Sequence, residues 1–430
     1  MISKRGVRIL ISPGPKAKEW QERNKKSRAQ PANLVISKAK GLYITDVDGN
    51  VYLDFSAQNI NTGHANPKVI TAVKNQIDAG GFHEGIEPKI ILAEKLKEIA
   101  IGKLSKGKVG FNKSGTNAAE RVIMMVRAYK RKRNIFVYQG SYHGDLSASI
   151  SLTMSNSTFR RRAYSMMPNV VYVPFAYCYR CPFGQKYPDC GLFCIDNIKY
   201  VLDTVSHPND TAAFFIEPIQ QHGGVTIPPP DYFGEVKKIC ADNDILFVDD
   251  EVATGFGRTG KMFALEHWGV DPDVIFLGKP IANGLDLGAV IGQSEVMEYN
   301  WGLKGNPISC AAAIANLEFI IKEKLVDNAS IIGEYLMRRL RELQEKYDSI
   351  GDIRGKGLLI GIELVKDNRK TPATEKARRA SVTALKYGLR IGVVGIHHQV
   401  LRLTPPLTIT LDQANEAITI MERTFRELDF

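Results

Sequence analysis

Long apolar runs are missing from this chain of 430 residues. No stretch reaches the length that crosses a bilayer, which excludes a membrane-spanning helix. The opening segment, MISKRGVRILISPGPK, carries charge but only the short apolar stretch Ile9 to Ile11, so it lacks the hydrophobic segment of a secretory signal. Cysteine is scarce, with six in all. Four of these, Cys178, Cys181, Cys190 and Cys194, crowd into CYRCPFGQKYPDCGLFC, a spacing that zinc would accept. Cys240 and Cys310 stand alone. These absences lead to the expectation of a cytoplasmic protein, where disulfides are disfavoured. No internal repeat and no low-complexity tract is present.

What is there begins with charge. Fifty-seven Lys and Arg against 46 Asp and Glu leave a net charge of +11. The basic clusters are short, Lys130 to Arg133 and Arg160 to Arg162. The first closes a helix-like stretch, where cations meet the helix dipole favourably. No nucleic-acid-binding pattern accompanies either cluster, so both read as solvated faces, and no nucleic-acid partner is expected. The excess charge is suited to attracting anionic substrates. Hydrophobic content of 44% and charged content of 24% are ordinary for a soluble globular chain.

Length favours more than one domain. Residues 1–60 read as an N-terminal arm, irregular to about residue 35, followed by the hairpin GLYITDVDGNVYLDF around Asp48-Gly49. Residues 61–310 form a large domain. In it, the strand-like runs KVGFN, NIFVYQG, VVYVPF, AAFFIEPI, ILFVDDEV and DVIFLGK alternate with helical patterns, as in a mainly parallel sheet. Residues 311–430 mix helices and strands as a smaller α+β domain, which the N-terminal hairpin is expected to join.

Two of those runs end in chemistry. ILFVDDEVATGFGRTG delivers Asp250, and PDVIFLGKPIANG delivers Lys279, each at a strand end entering a glycine-rich loop. Strand C-termini in such a sheet converge on a ligand crevice. An amine and a carboxylate placed there suit pyridoxal phosphate: the lysine forms a Schiff base, and the acid keeps the pyridine nitrogen protonated. GFGRTG also fits the dinucleotide fingerprint, but it does not follow its strand directly and opens no helix, so that reading is rejected.

The ordered set DVDGNVYLDF, SGTNAAE, SYHGD, IEPIQ, DDEVATGFGRTGKMFA, LGKPIANGLDLGAV and GNPISCAAA, from about Gly41 to Leu428, resembles the class III aminotransferases, the ornithine and 4-aminobutyrate transaminase group. The resemblance implies an α/β fold type I pyridoxal-phosphate-dependent transferase with a large mainly parallel-sheet domain and a smaller α+β domain, assembled as a homodimer or higher homo-oligomer. It also implies Lys279 and Asp250 as catalytic residues. Gly115 and Thr116 would cup the cofactor phosphate at a helix N-terminus, Tyr142 and Val252 would sandwich the ring, and Glu217 would organise the pocket. Cysteine-bearing loops occur in part of the family outside its chemistry, and no metal is expected.

Departures from the family pattern bear on the substrate. Asp145 stands where many 2-oxoglutarate users carry an arginine, and an acid there repels a substrate carboxylate. His222, in Gln221-His222-Gly223-Gly224, replaces their glutamate gate. Arg402 remains as a single carboxylate clamp, so Arg402 and His222 are the candidate substrate-binding residues. Ala253 and Gly302 replace cofactor-contacting residues, with Lys304 as a candidate substitute. The segment DFSAQNINTGH is short, which alters the pocket. These features lead to an expected aminotransferase that passes an amino group from an amino acid or amine to a small oxo acid, pyruvate-like rather than 2-oxoglutarate. The alternative is an amino-acid racemase or epimerase of the same family, which returns the proton to Cα from the other side.

Overall fold

Residues alternate in role along the central strands. In Thr211–Ile216, Ala213 and Phe215 pack with Val137, Val248 and Phe276, whereas Phe214 and Ile216 pack with Phe136, Tyr138 and Phe247. Each strand therefore feeds two apolar layers, as the period of two requires. Full burial of each such aromatic side chain contributes about 1.5–3 kcal/mol. The first layer is closed by the helix Gly115–Lys130 through Ala118, Val122 and Val126. The second is closed by Phe193–Thr204 and Tyr232–Asp242.

The computed structural model describes residues 7, 9, 13–27, 34–80, 87–156, 161, 167–301 and 305–429. Its main sheet runs, strand by strand, Lys108–Asn112, Gly288–Gly292, Val274–Leu277, Leu246–Asp250, Thr211–Ile216, Asn134–Tyr138 and Val170–Val173. Only Gly288–Gly292 runs against its neighbours. The others leave their C-terminal ends on one edge, where Asp250 and Lys279 emerge.

A second sheet pairs Ile36–Lys40, Tyr43–Asp46 and Val51–Asp54 with the late strand Leu389–Arg390. A third orders Ile350–Lys356, Leu359–Leu364, Val400–Leu403 and Gly392–Val394. Buried Arg258 ties these regions together. Its guanidinium donates to Asn61 Oδ1 at 2.6 Å and to the Leu358 carbonyl at 3.2 Å, and also reaches the Pro405 carbonyl. GFGRTG is thus a structural knot, with Gly257 and Gly260 at positive φ.

Two local expectations fail. The arm contains a helix, Pro15–Ser27, because Asp48 in the hairpin turn accepts from the Lys16 and Ala17 amides at 3.0 and 2.8 Å. The cap comes from a distant segment and leaves no local sign. Gly288–Gly292 is a strand of the main sheet that the six strand-like runs do not include. It is held by antiparallel pairing on both sides.

Candidate active site

Lys279 is carried past the strand Val274–Leu277 on a tight turn, Lys279–Ala282, and its own φ is +35°. A non-glycine residue there is strained, and such strain is held by its surroundings. Here Gly278 supplies the support: a Cβ on it would lie 2.8 Å from Gly115 Cα and 3.2 Å from Val252 Cγ1. The turn, the start of the helix at Gly115 and Val252 are packed too closely for any side chain at 278. Enclosure lowers the Lys279 ammonium from its usual range; the Arg402 charge adds to this, and Asp250 and Glu217 oppose it. The amine makes no hydrogen bond to any described residue.

Asp250 is buried at the end of Leu246–Asp250. One carboxylate oxygen accepts the Val252 amide at 3.0 Å, and the other lies 2.7 Å from His143 Nδ1. The carboxylate can only accept, so His143 Nδ1 carries the proton. Phe215 and Phe276 enclose the imidazole. His143 lies inside the SYHGD motif, and its role is visible only once the fold brings it to Asp250.

A cavity of about 270 Å³ joins Gly115, Thr116, Tyr142, Asp250, Val252 and Lys279 with Asn59, Asp145 and Gly284 to Leu287. Ser114 caps the helix Gly115–Lys130 by accepting the Asn117 amide at 3.2 Å. The first-turn amides of Gly115 and Thr116 are thereby left for an anion. Gly115 itself must be glycine, since a Cβ would meet Val252 at 2.7 Å.

Three expected residues do not line this cavity. Glu217 accepts the Tyr142 amide at 2.8 Å, and burial raises its carboxyl to about 7. His222 stacks on Tyr142, ring centroids 4.3 Å apart and planes 28° apart. Burial, then Lys279, then Arg402 push the imidazole well below its usual pKa, so it is neutral at physiological pH. Arg402 sits in Val400–Leu403 opposite Gly361 on one side and Gly392 on the other, and Gly392 leaves room for the guanidinium, since a Cβ there would meet Arg402 Nη2 at 2.9 Å. It meets no carboxylate among the described residues. Its Nη1 donates to Gln58 Oε1 at 3.3 Å, Nη2 reaches Ser56 Oγ at 3.5 Å, and Nε is buried without a partner. Burial lowers it to about 10. Gln58 also accepts from Gln221 Nε2 at 2.8 Å. Gln58 lies in the shortened segment and carries no motif, so sequence reasoning did not single it out.

Asp145 stands at the mouth and, after burial, adds to the upward shift of the Tyr142 hydroxyl to about 12. Gly302, Lys304, Arg160 and Arg162 lie outside the described residues. Cys178, Cys181, Cys190 and Cys194 line one small cavity of about 20 Å³, and all are free thiols. Burial, then the neighbouring thiols, raise Cys194 to about 12, which favours the inert thiol over the metal-binding thiolate. Among the described residues no cluster of His, Cys, Asp or Glu is arranged to hold a metal, and no helix is long and apolar enough to cross a membrane.

A mainly parallel sheet that presents a lysine and a histidine-backed aspartate beside the open N-terminus of a helix fits a fold type I pyridoxal-phosphate enzyme. The chain belongs to the class-III aminotransferase family, whose model matches residues 25–425. It is 39% identical to an alanine/serine racemase of Pyrococcus horikoshii, over 97% of this chain and 92% of the relative. It is 33% identical to a 4-aminobutyrate aminotransferase of Mycobacterium leprae, over 98% and 99%. Among solved structures it resembles a PLP-bound amine transaminase from an uncultivated Pseudomonas species, with TM-score 0.86, 29% identity, and coverage of 93% and 97%. The family therefore includes both aminotransferases and racemases. Its membership and the PLP-bound neighbour imply pyridoxal phosphate, and the residues fit: a glycine-lined cup with open amides, an unengaged amine, and an ordered carboxylate.

Proposed function

We propose that this chain is a pyridoxal-phosphate-dependent racemase or epimerase of neutral amino acids. The observation that carries the reading is His222 stacked on Tyr142, near enough to Lys279 to feel its charge. A two-base racemase places a proton-transfer group on each side of the substrate Cα. Lys279 serves one side and His222 the other. Both have pKa values lowered by enclosure, so both are ready to accept a proton.

Pyridoxal phosphate, when bound, supplies an electron sink that acidifies the Cα–H of the attached amino acid. Gly115 and Thr116 would hold its phosphate. Tyr142 and Val252 would flank its ring, and Asp250, fixed by His143 and the Val252 amide, would hold a proton at the ring nitrogen. Arg402 binds the α-carboxylate through its unpartnered Nε and a fork shared with Gln58. Lys279 Nζ removes the Cα proton on its side and releases it to solvent, while His222, neutral at rest, takes up a proton from solvent and returns it on the other. The reverse direction exchanges the two roles. Glu217 keeps Tyr142 in place through its backbone amide. Asp145 disfavours acidic side chains. The relative that racemises alanine and serine supports a small neutral substrate.

Transamination is the second reading. A single clamp at Arg402 and an acid at Asp145 favour a pyruvate-like acceptor over 2-oxoglutarate. We also infer a cytoplasmic homodimer or higher homo-oligomer, with 1–60, 61–310 and 311–430 as its arm-and-hairpin, large and small units. One experiment separates the activities. A single enantiomer of alanine or serine is incubated in D2O with cofactor and no oxo acid. Inversion with deuterium at Cα is expected. Product formation only when an oxo acid is added would replace this reading with transamination.

A further inference from the structure

We propose that Arg354 is a positioning residue for His222, clamping the loop that carries it; this rests on the racemase reading above. The loop leaves and rejoins the fold at one bridge, where the Gln220 and Thr226 amides each donate to the other's carbonyl at 3.1 Å. Between them the backbone is contorted: Gly224 has φ +118° and Val225 has φ +55°. A β-branched residue in the left-handed region is strained and persists only where its surroundings enforce it.

Arg354, in Ile350–Lys356, supplies that enforcement. Its Nε donates to the Gly224 and Val225 carbonyls, both at 3.1 Å, and its Nη2 to Gly224 at 2.5 Å. The twist at 224–225 turns these carbonyls toward the third sheet, where only a side chain can satisfy them. The other half of the guanidinium is anchored. Nη1 meets Asp352 and Glu363, each at 2.7 Å, Nη2 reaches the Tyr177 hydroxyl at 2.9 Å, and the group lies 4.9 Å over the Tyr177 ring. Glu363 is in turn bonded by Tyr177, Arg180 and Gln399. On the far side of the loop, the Gly395 amide donates to the His222 carbonyl at 3.0 Å.

His222 thus sits at the tip of a strained loop whose base is fixed by one rigid, fully engaged guanidinium. Lys279 is held differently, on a turn just past a sheet strand and fixed by close packing at Gly278. A lysine at 354 would place a single ammonium where a planar fork now serves two carbonyls and two acids. Loss of the clamp should therefore impair the His222 side of the reaction and spare the Lys279 side.

The test compares Arg354→Lys and Glu363→Gln with wild type. Amide hydrogen exchange, with and without pyridoxal phosphate, reads residues 221–225. Cα deuterium exchange from each pure enantiomer reads the two sides separately. In Arg354→Lys the loop amides should exchange faster, with exchange unchanged in Val274–Leu277. Cα exchange should fall about tenfold for one enantiomer and less than about twofold for the other, without a comparable rise in KM. Glu363→Gln, which keeps the arginine but loosens its anchor, should show the same asymmetry more weakly. Unchanged loop exchange in both variants, or an equal loss for both enantiomers, would overturn the clamp. If wild type fails to invert either enantiomer, the racemase reading fails and takes the His222 assignment with it. Loop exchange would still decide whether Arg354 holds the loop.

Discussion

The two walls of the site are built in different ways. Lys279 and Asp250 stand at the ends of adjacent strands of one sheet, Val274–Leu277 and Leu246–Asp250, joined directly by parallel pairing. The wall of Arg402, Gln58 and His222 is gathered from a strand of the third sheet, a segment near the N-terminal hairpin, and a loop of the large domain. Gln58 links its side chains, and backbone bonds tie Phe55 and Ala57 to Thr404 and His222 to Gly395. In the proposed reading, chemistry common to the family would rest on the rigid wall, and chemistry that selects the substrate, or the fate of its proton, on the assembled one. Substitutions on the first wall should abolish turnover, and those on the second should redistribute it.

The largest expected effect is at Lys279. Lys279→Ala removes the amine without touching the strand beneath it. Turnover should fall about 10⁴-fold or more, with loss of the visible cofactor band and an unchanged melting temperature. Chiral chromatography and absorption spectra check both. Retained turnover in this variant would break the division between the walls, because the base would then have to come from the other one.

Next comes Arg402→Gln. The guanidinium has no carboxylate partner among the described residues, and in the proposed reading the substrate carboxylate would supply its counter-charge. Losing hydrogen bonds to a charged group costs about 1.5–3 kcal/mol, or roughly 10–100-fold. The loss should appear in KM, with kcat within a few-fold, as befits a group that binds substrate and transition state alike. Steady-state kinetics on alanine decide it. A loss confined to kcat would move Arg402 into the reacting machinery and blur the comparison.

The same division decides what the sequence reveals. Lys279 and Asp250 were legible because an apolar run ending in a reactive residue before glycines marks a strand end, and strand ends meet at one edge. Sheet class and the helices Pro307–Lys322 and Leu411–Glu427 were legible from period alone. Gln58, His143 and Arg354 were not. Each gains its role from a partner over a hundred positions away, or across sheets, and nothing in its neighbours marks it. The helix Pro15–Ser27 was missed for the same reason, since its cap, Asp48, belongs to another element.

Gln58→Ala sharpens the second wall at a smaller scale. One carbonyl oxygen serves both Arg402 and Gln221, and its loss should raise KM about five- to tenfold, the worth of one ordinary hydrogen bond. The double variant with Arg402→Gln should be less than additive, because the two groups share one interaction. Full additivity would show that Gln58 touches the substrate independently of the arginine.

The smallest effect concerns His222 and needs no reaction. Burial and the charges of Lys279 and Arg402 all disfavour its imidazolium. Its folded pKa lies below its unfolded value, so it is neutral in both states above the usual histidine range. As pH falls through that range, only the unfolded chain takes up the proton, and stability declines. A histidine of ordinary pKa is about three-quarters protonated at pH 6, whereas the His222 ring resonances should still report the neutral form there. Assignment by comparison with His222→Gln, followed by NMR titration, checks this. Protonation in the ordinary range would mean that the second wall is wet and open, unlike the first. The imidazole would then be a surface group with no claim on the proton at Cα.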